Sequence, residues 1–201
     1  MEKLNEDLLR QVKEHSDDAQ IGWGNLYYHV LPNVLKKHNC KIGAEIGTAF
    51  GGHAESILLN TDVEKLYCID SYKHYQDSTD SFCLLNGKKY EQIEYDALYE
   101  LTKERLSKFG DRQFLIRENS KLGSELVNEE LDFVFIDAQH TKEAVLEDIK
   151  IWSSKVKVGG IISGHDYGHP NFPGVSEAVW QSFPSQSINS EEGYVWWVIK
   201  E

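Results

Sequence analysis

The chain has 201 residues, of which 40% are hydrophobic and 11% aromatic, enough for one substantial core in a single globular domain. Thirty-three acidic against 21 basic side chains leave a formal charge of −12, a field that repels phosphate backbones and anionic bilayers and argues against nucleic acid or a membrane as partner. The opening MEKLNEDLLRQVKEH is charged throughout, without the apolar core of a secretory signal, and no later stretch has the length needed to span a bilayer. Three cysteines, Cys40, Cys68 and Cys83, odd in number and without C-x-x-C spacing, fit a reducing, cytoplasmic setting.

In chain order, residues 1–40 read as an N-terminal helical extension. Its first helix carries Leu4, Leu8 and Val12 on one face, and its second is interrupted near Pro32. Residues 41–201 alternate short apolar runs with segments of helical period. The runs are KIGAEIG at 41–47, KLYCID at 65–70, QFLIR at 113–117, LDFVFID at 131–137 and GGIISG at 159–164. Ile93, Ala97 and Leu101 share one helical face, and Val145, Ile149, Trp152 and Val156 another. The alternation predicts an α/β fold, a mostly parallel sheet covered by helices. Residues 71–89 make an unusually long, aromatic connection after the second run, and we expect a lid-like insertion there. The final QSINSEEGYVWWVIK predicts an antiparallel hairpin about a Glu-Gly turn, whose tryptophans suit either a homodimer interface or central burial.

The first run ends in AEIGTAFGGHAESIL, where Glu45, Gly47, Gly51 and Gly52 surround a strand-to-helix turn. Glycine there lets a ligand approach the backbone, and the following helix offers free N–H groups. One strand later Asp70 closes YCID, where a carboxylate can accept both hydroxyls of a ribose. The pair suggests a nucleoside-containing ligand. GTAFGG differs from the dinucleotide fingerprint G-x-G-x-x-G by Ala49 in the middle position, so a nicotinamide-dependent oxidoreductase is one alternative.

A second group gathers at later strand ends. Asp137 closes LDFVFID and is followed by His140, while His165 and Asp166 follow GGIISG. In an open parallel sheet the carboxyl ends of the strands form the ligand crevice. Asp137, His165 and Asp166 could therefore hold a divalent cation, Mg²⁺, Mn²⁺ or Fe²⁺, with His140 over the same site as a base. A non-haem iron oxygenase could be built from His165, Asp166 and His140 or His169, and a non-catalytic binding module is a further alternative.

The run AEIGTAFGGHAESIL … LYCIDSY … LDFVFIDAQHTKEAVLEDIKIWSSKVKVGGIISGHDY, about residues 41–167, resembles the class I S-adenosylmethionine-dependent methyltransferases, particularly their small-molecule O-methyltransferase branch. The resemblance implies a Rossmann-like, doubly wound, seven-stranded sheet ending in the antiparallel hairpin. It also implies a cofactor site in which Glu45 and the Gly47–Gly52 loop, Thr48 and Gly51 included, hold the methionine portion. Asp70 then holds the ribose, Asn119 and Ser120 sit near the adenine, and Asp137 lines the same crevice. GHDY departs from the Asp-Asp or Asp-Asn pair of the metal-dependent members, His165 standing where they have an acidic ligand. In the implied chemistry the cation lowers the pKa of an acceptor hydroxyl and His140 takes its proton. Tyr72, Tyr75, Tyr167 and Phe172 are candidates for stacking on a sugar or aromatic acceptor.

Overall fold

The computed structural model describes residues 4–74, 84–85 and 88–201. The expected lid over 71–89, with Tyr75 and Cys83, thus lies largely outside the described residues.

Helix α1 (Glu6–Leu26) begins where the Asn5 side chain accepts the Leu8 N–H at 2.7 Å, satisfying a donor that the first turn leaves free. Helix α2 (Val30–Lys37) carries Pro32 in its first turn, where its missing N–H costs no helical hydrogen bond. The break between the two helices therefore falls at 27–29, ahead of the proline.

The body alternates as the sequence pattern predicts: β1 (Ile42–Ile46), α3 (Gly52–Asn60), β2 (Lys65–Ile69), α4 (Gln92–Ser107), β5 (Gln113–Ile116), α5 (Ser120–Leu126), β6 (Leu131–Ile136), α6 (Lys142–Ser153), β7 (Val156–Gly164) and α7 (Pro173–Ser182). A two-stranded ribbon, β3 (Leu84–Leu85) with β4 (Lys88–Lys89), stands apart, and β8 (Asn189–Glu191) and β9 (Val195–Ile199) follow α7. The seven-stranded sheet has the order β5-β2-β1-β6-β7-β9-β8. The five strands from β5 to β7 run parallel, and β9 and β8 are antiparallel to their neighbours. This is the Rossmann-like methyltransferase architecture.

Val156 departs from its expected place on the helical face. It pairs with Leu131 as the first residue of β7, and the register shifts before Phe133 meets Ile161, where Gly159 turns at φ 80°. The helix stops at Ser153 because the Lys155 N–H closes a turn on the Trp152 carbonyl at 3.0 Å.

Strand order sets packing. β6 lies between β1 and β7, so Phe133 and Phe135 face one apolar layer and Val134 and Ile136 the other, all 4% exposed or less. Gly43 makes room for this, since a Cβ there would lie 2.1 Å from the Phe133 ring. In the terminal hairpin Trp196 is fully buried in the chain's own core, near Phe183, while Trp197 is half-buried on the other face.

Candidate functional site

The loop after β1 passes through left-handed conformations at Gly47, Ala49 and Gly51, with φ of 90°, 45° and 78°. A Cβ on Gly47 would lie 2.0 Å from the Asp137 carbonyl oxygen, so glycine lets this loop pack on the end of β6. Ala49, an alanine in a conformation that costs about 1 kcal/mol, is held at both ends of its residue. Its N–H donates to Asp70 Oδ2 at 2.8 Å, and its carbonyl accepts the Tyr72 and Thr102 hydroxyls, each at 2.9 Å.

Asp70 accepts one backbone N–H on each oxygen, from Ala49 and from Tyr72 at 2.9 Å. Each oxygen keeps a further lone pair, the acceptor set that two ribose hydroxyls require. Burial raises its pKa above the ordinary carboxylate value, against the lowering by those N–H groups and the Arg117 charge. Glu45, 2% exposed, holds His53 Nδ1 on one oxygen at 2.8 Å, while Oε2 has no hydrogen-bond partner among the described residues. An unpartnered buried carboxylate oxygen beside a glycine turn fits an incoming ammonium group.

Asn119 and Ser120 lie at the neighbouring strand end with their side chains already engaged. Asn119 caps α5, accepting the Leu122 N–H at 3.0 Å. The Ser120 hydroxyl donates to Asp148 and accepts the Trp152 indole N–H at 2.8 Å.

At the ends of β6 and β7, donor atoms of Asp137, His140 and Asp166 lie within 4.8 Å of one another. His140 Nε2 is 2.8 Å from Asp166 Oδ2 and 3.8 Å from Asp137 Oδ1, and His165 Nδ1 is 3.2 Å and 3.6 Å from the same two oxygens. Asp166 reaches this position with φ 63°, a third non-glycine residue of the crevice, after Ala49 and Tyr72, in the left-handed region. For Asp137, burial alone would raise the pKa, and the imidazoles of His165 and His140 reverse this and hold it far below the ordinary value. Burial works against a charged His165, yet Asp137 and Asp166 raise its pKa to about 10. The group of donor atoms within 4.8 Å of one another contains His140, and His165, expected beside the two acids, lies against the same two oxygens.

Residues 44–167 match the model of a family described as "Methyltransferase domain". The chain belongs to that methyltransferase family. No curated protein matches it. Among solved structures, an O-methyltransferase from Bacillus cereus in complex with SAH shares 14% identity at TM-score 0.65, covering 98% of this chain and 92% of that one. The O-methyltransferase TomG from Streptomyces achromogenes, involved in tomaymycin synthesis and in complex with SAM, shares 14% identity at TM-score 0.59, over 87% and 79% of the two chains. An rRNA methylase from Streptococcus thermophilus shares 16% identity at TM-score 0.53, over 80% and 86%. These likenesses establish the fold.

In this methyltransferase two neighbours of the crevice escape sequence reasoning. Tyr27 donates to Asp137 Oδ2 at 3.2 Å and stacks on His165 with ring centroids 4.0 Å apart, across 110 residues of chain. Arg117 sits over the Tyr99 ring and donates to the Tyr72 carbonyl at 3.2 Å, bringing its charge to Asp70. Only the basic residue closing FLIR could have hinted at the second, and nothing in the sequence pattern hints at the first. Phe172 stacks on His140 at 4.2 Å and on His169 at 4.8 Å, forming an aromatic wall beside the acids. No helix among the described residues is long and apolar enough to cross a membrane.

Proposed function

We propose that this methyltransferase uses S-adenosylmethionine to methylate a hydroxyl oxygen of a small molecule or sugar. The observation that carries this reading is the contact between Gly47 and the Asp137 backbone, which joins the nucleoside cradle to the acid–imidazole cluster with no side chain between them. When bound, the cofactor supplies an electrophilic methyl group on a sulfonium, so the protein's work is to align and deprotonate the acceptor. Glu45, Gly47, Thr48 and Gly51 hold the amino-acid end, and Asp70 holds the ribose. Asn119 and Ser120 offer backbone groups near the base, and Asp137 lines the crevice between donor and acceptor.

His140 takes the proton of the acceptor hydroxyl on Nδ1, while its Nε2–H donates to Asp166 Oδ2 at 2.8 Å, which orients the ring and stabilises the charge it gains. Phe172 fixes the plane of that ring. Asp137, His140 and Asp166, two carboxylates and one imidazole, would also hold Mn²⁺ or Fe²⁺, and with water Mg²⁺, with His140 then a ligand through Nε2; such an ion would lower the hydroxyl pKa by Lewis acidity and would favour a vicinal diol. The approach of His165 Nδ1 to both carboxylates, 3.6 Å from Asp137 Oδ1 and 3.2 Å from Asp166 Oδ2, favours a second, metal-independent form of the same reaction, in which a protonated His165 balances the two acids.

The formal charge of −12 supports a small-molecule acceptor over nucleic acid, although the fold is shared with rRNA methylases. Isothermal titration with S-adenosylhomocysteine, on the wild type and Asp70→Ala, tests the cofactor. Transfer of labelled methyl to a panel of diols, with and without Mn²⁺, tests the acceptor class. Absence of S-adenosylhomocysteine binding under every condition defeats the proposal.

A further inference from the structure

The N-terminal helices contribute a residue to the acceptor side that the two strand-end motifs do not contain. Tyr27 caps α1, is 5% exposed, and lies flat on His165 with an interplanar angle of 23°. Its hydroxyl takes Asp137 Oδ2, while Asp137 Oδ1 is the oxygen nearest His140 and His165. One carboxylate oxygen is therefore occupied from outside the cluster and the other is presented to it.

Tyr27 is itself fixed from the opposite end of the chain. At the β8–β9 turn Gly193 has φ 69°, and a Cβ there would lie 2.5 Å from Tyr27 Cβ and 2.8 Å from the Leu26 carbonyl oxygen. Close beside this contact, His29 Nε2 meets Glu192 Oε1 at 2.9 Å. Tyr28 closes the edge of the Tyr27 ring at 4.9 Å, and its own hydroxyl donates to Gln20 Oε1 at 2.7 Å. The phenol cannot swing away without displacing the hairpin turn or the helix end.

We propose that Tyr27 is a positioning residue for the acceptor side: it sets the rotation of the Asp137 carboxylate, through Oδ2, so that Oδ1 faces Asp166 and His140 as a cation donor. This rests on the cation-assisted form of the methyltransferase reading. A group that orients a metal-binding carboxylate changes metal affinity by about 10- to 100-fold when removed.

The test is Mn²⁺ affinity, from the free-ion electron paramagnetic resonance signal, in the wild type, Tyr27→Phe, Tyr27→Leu and Gly193→Ala, with S-adenosylhomocysteine titration and Tm alongside. Tyr27→Phe keeps the stack and loses the hydroxyl, and about a tenfold weaker Mn²⁺ affinity is expected at unchanged S-adenosylhomocysteine affinity. Tyr27→Leu loses both contacts and should fall further. Gly193→Ala, which alters no residue of the cluster, should weaken Mn²⁺ in the same direction by pushing Tyr27. Mn²⁺ binding unchanged in Tyr27→Phe and Gly193→Ala, with or without a lower Tm, overturns the proposal and leaves the cation reading intact. A wild type that binds S-adenosylhomocysteine but no Mn²⁺ overturns both the proposal and the cation-assisted form, leaving the cofactor assignment standing.

Discussion

Replacing Asp148 by asparagine should stabilise the protein at neutral pH and leave it unchanged in mild acid. Asp148 is 6% exposed on the inner face of α6, its nearest charged neighbour in sequence is Glu147, and its polar contact is the Ser120 hydroxyl that also receives Trp152. Burial raises its pKa to about 6, with the Ser120 hydrogen bond opposing and Glu147 adding to the rise. An unfolded aspartate titrates near 3.9, so the shift is about two units, or up to about 3 kcal/mol of differential stability. Since the folded pKa is the higher one, the contribution is fully present below about pH 4 and is lost as pH rises through about 6. The side-chain amide introduced by Asp148→Asn keeps an oxygen for Ser120 and carries no charge to bury. Urea denaturation of both proteins at pH 4, 5, 6, 7 and 8 isolates the residue, because every other titration cancels in the difference. We expect coincident stabilities near pH 4 and a variant more stable by about 2–3 kcal/mol at pH 7, with the gap opening between those values. Parallel curves across the range, or a variant less stable at pH 7, would refute the reasoning.

Asp70→Ala removes the acceptor of two loop N–H groups as well as the ribose acceptor, and S-adenosylhomocysteine affinity by calorimetry should fall by about 100-fold or more, at about 1.5–3 kcal/mol per charged hydrogen bond. Gly47→Ala sets a methyl group against the Asp137 carbonyl; thermal unfolding should show a loss of more than about 3 kcal/mol, and Gly168→Ala, at a similar φ of 82° but with open space around it, controls for the left-handed backbone cost. His140→Ala should lower single-turnover methyl transfer by about 10²- to 10⁴-fold, with cofactor affinity within about twofold of the wild type.

The parallel sheet was legible because its inner strands β1, β2 and β6 are buried on both faces and read as short apolar runs between helical periods. The same signal misplaced Val156, whose apolar side chain satisfies a helical face as well as a strand; only the pairing with Leu131 distinguishes them. Asp70, Asp137, His140, His165 and Asp166 were legible because the strand ends of an open parallel sheet share one edge. The distances of the two imidazoles from the carboxylates were not, since they depend on the φ 63° turn at Asp166. Ser120 illustrates a different limit: its hydroxyl serves Asp148 and Trp152, partners that no local pattern names. Tyr27 belongs to neither the motif run nor the alternation, and it enters the site through packing of the first helix against the last hairpin.

β9 does not lie at the margin of the sheet but between β7 and β8, the position of greatest burial on that side. Of the described strands it is the last to leave the ribosome. Until then β7 has an open flank, the core position beside Phe183 that Trp196 fills is vacant, and the turn that holds Tyr27 against His165 is not closed. The nascent chain can build the proposed nucleoside cradle from β1, β2 and β6 well before it can complete the acid–imidazole cluster. On the proposed reading, completion of the acceptor side is tied to the emergence of this strand, and a chain cut short before β9 would leave that cluster unfinished and β7 unpaired and open to association.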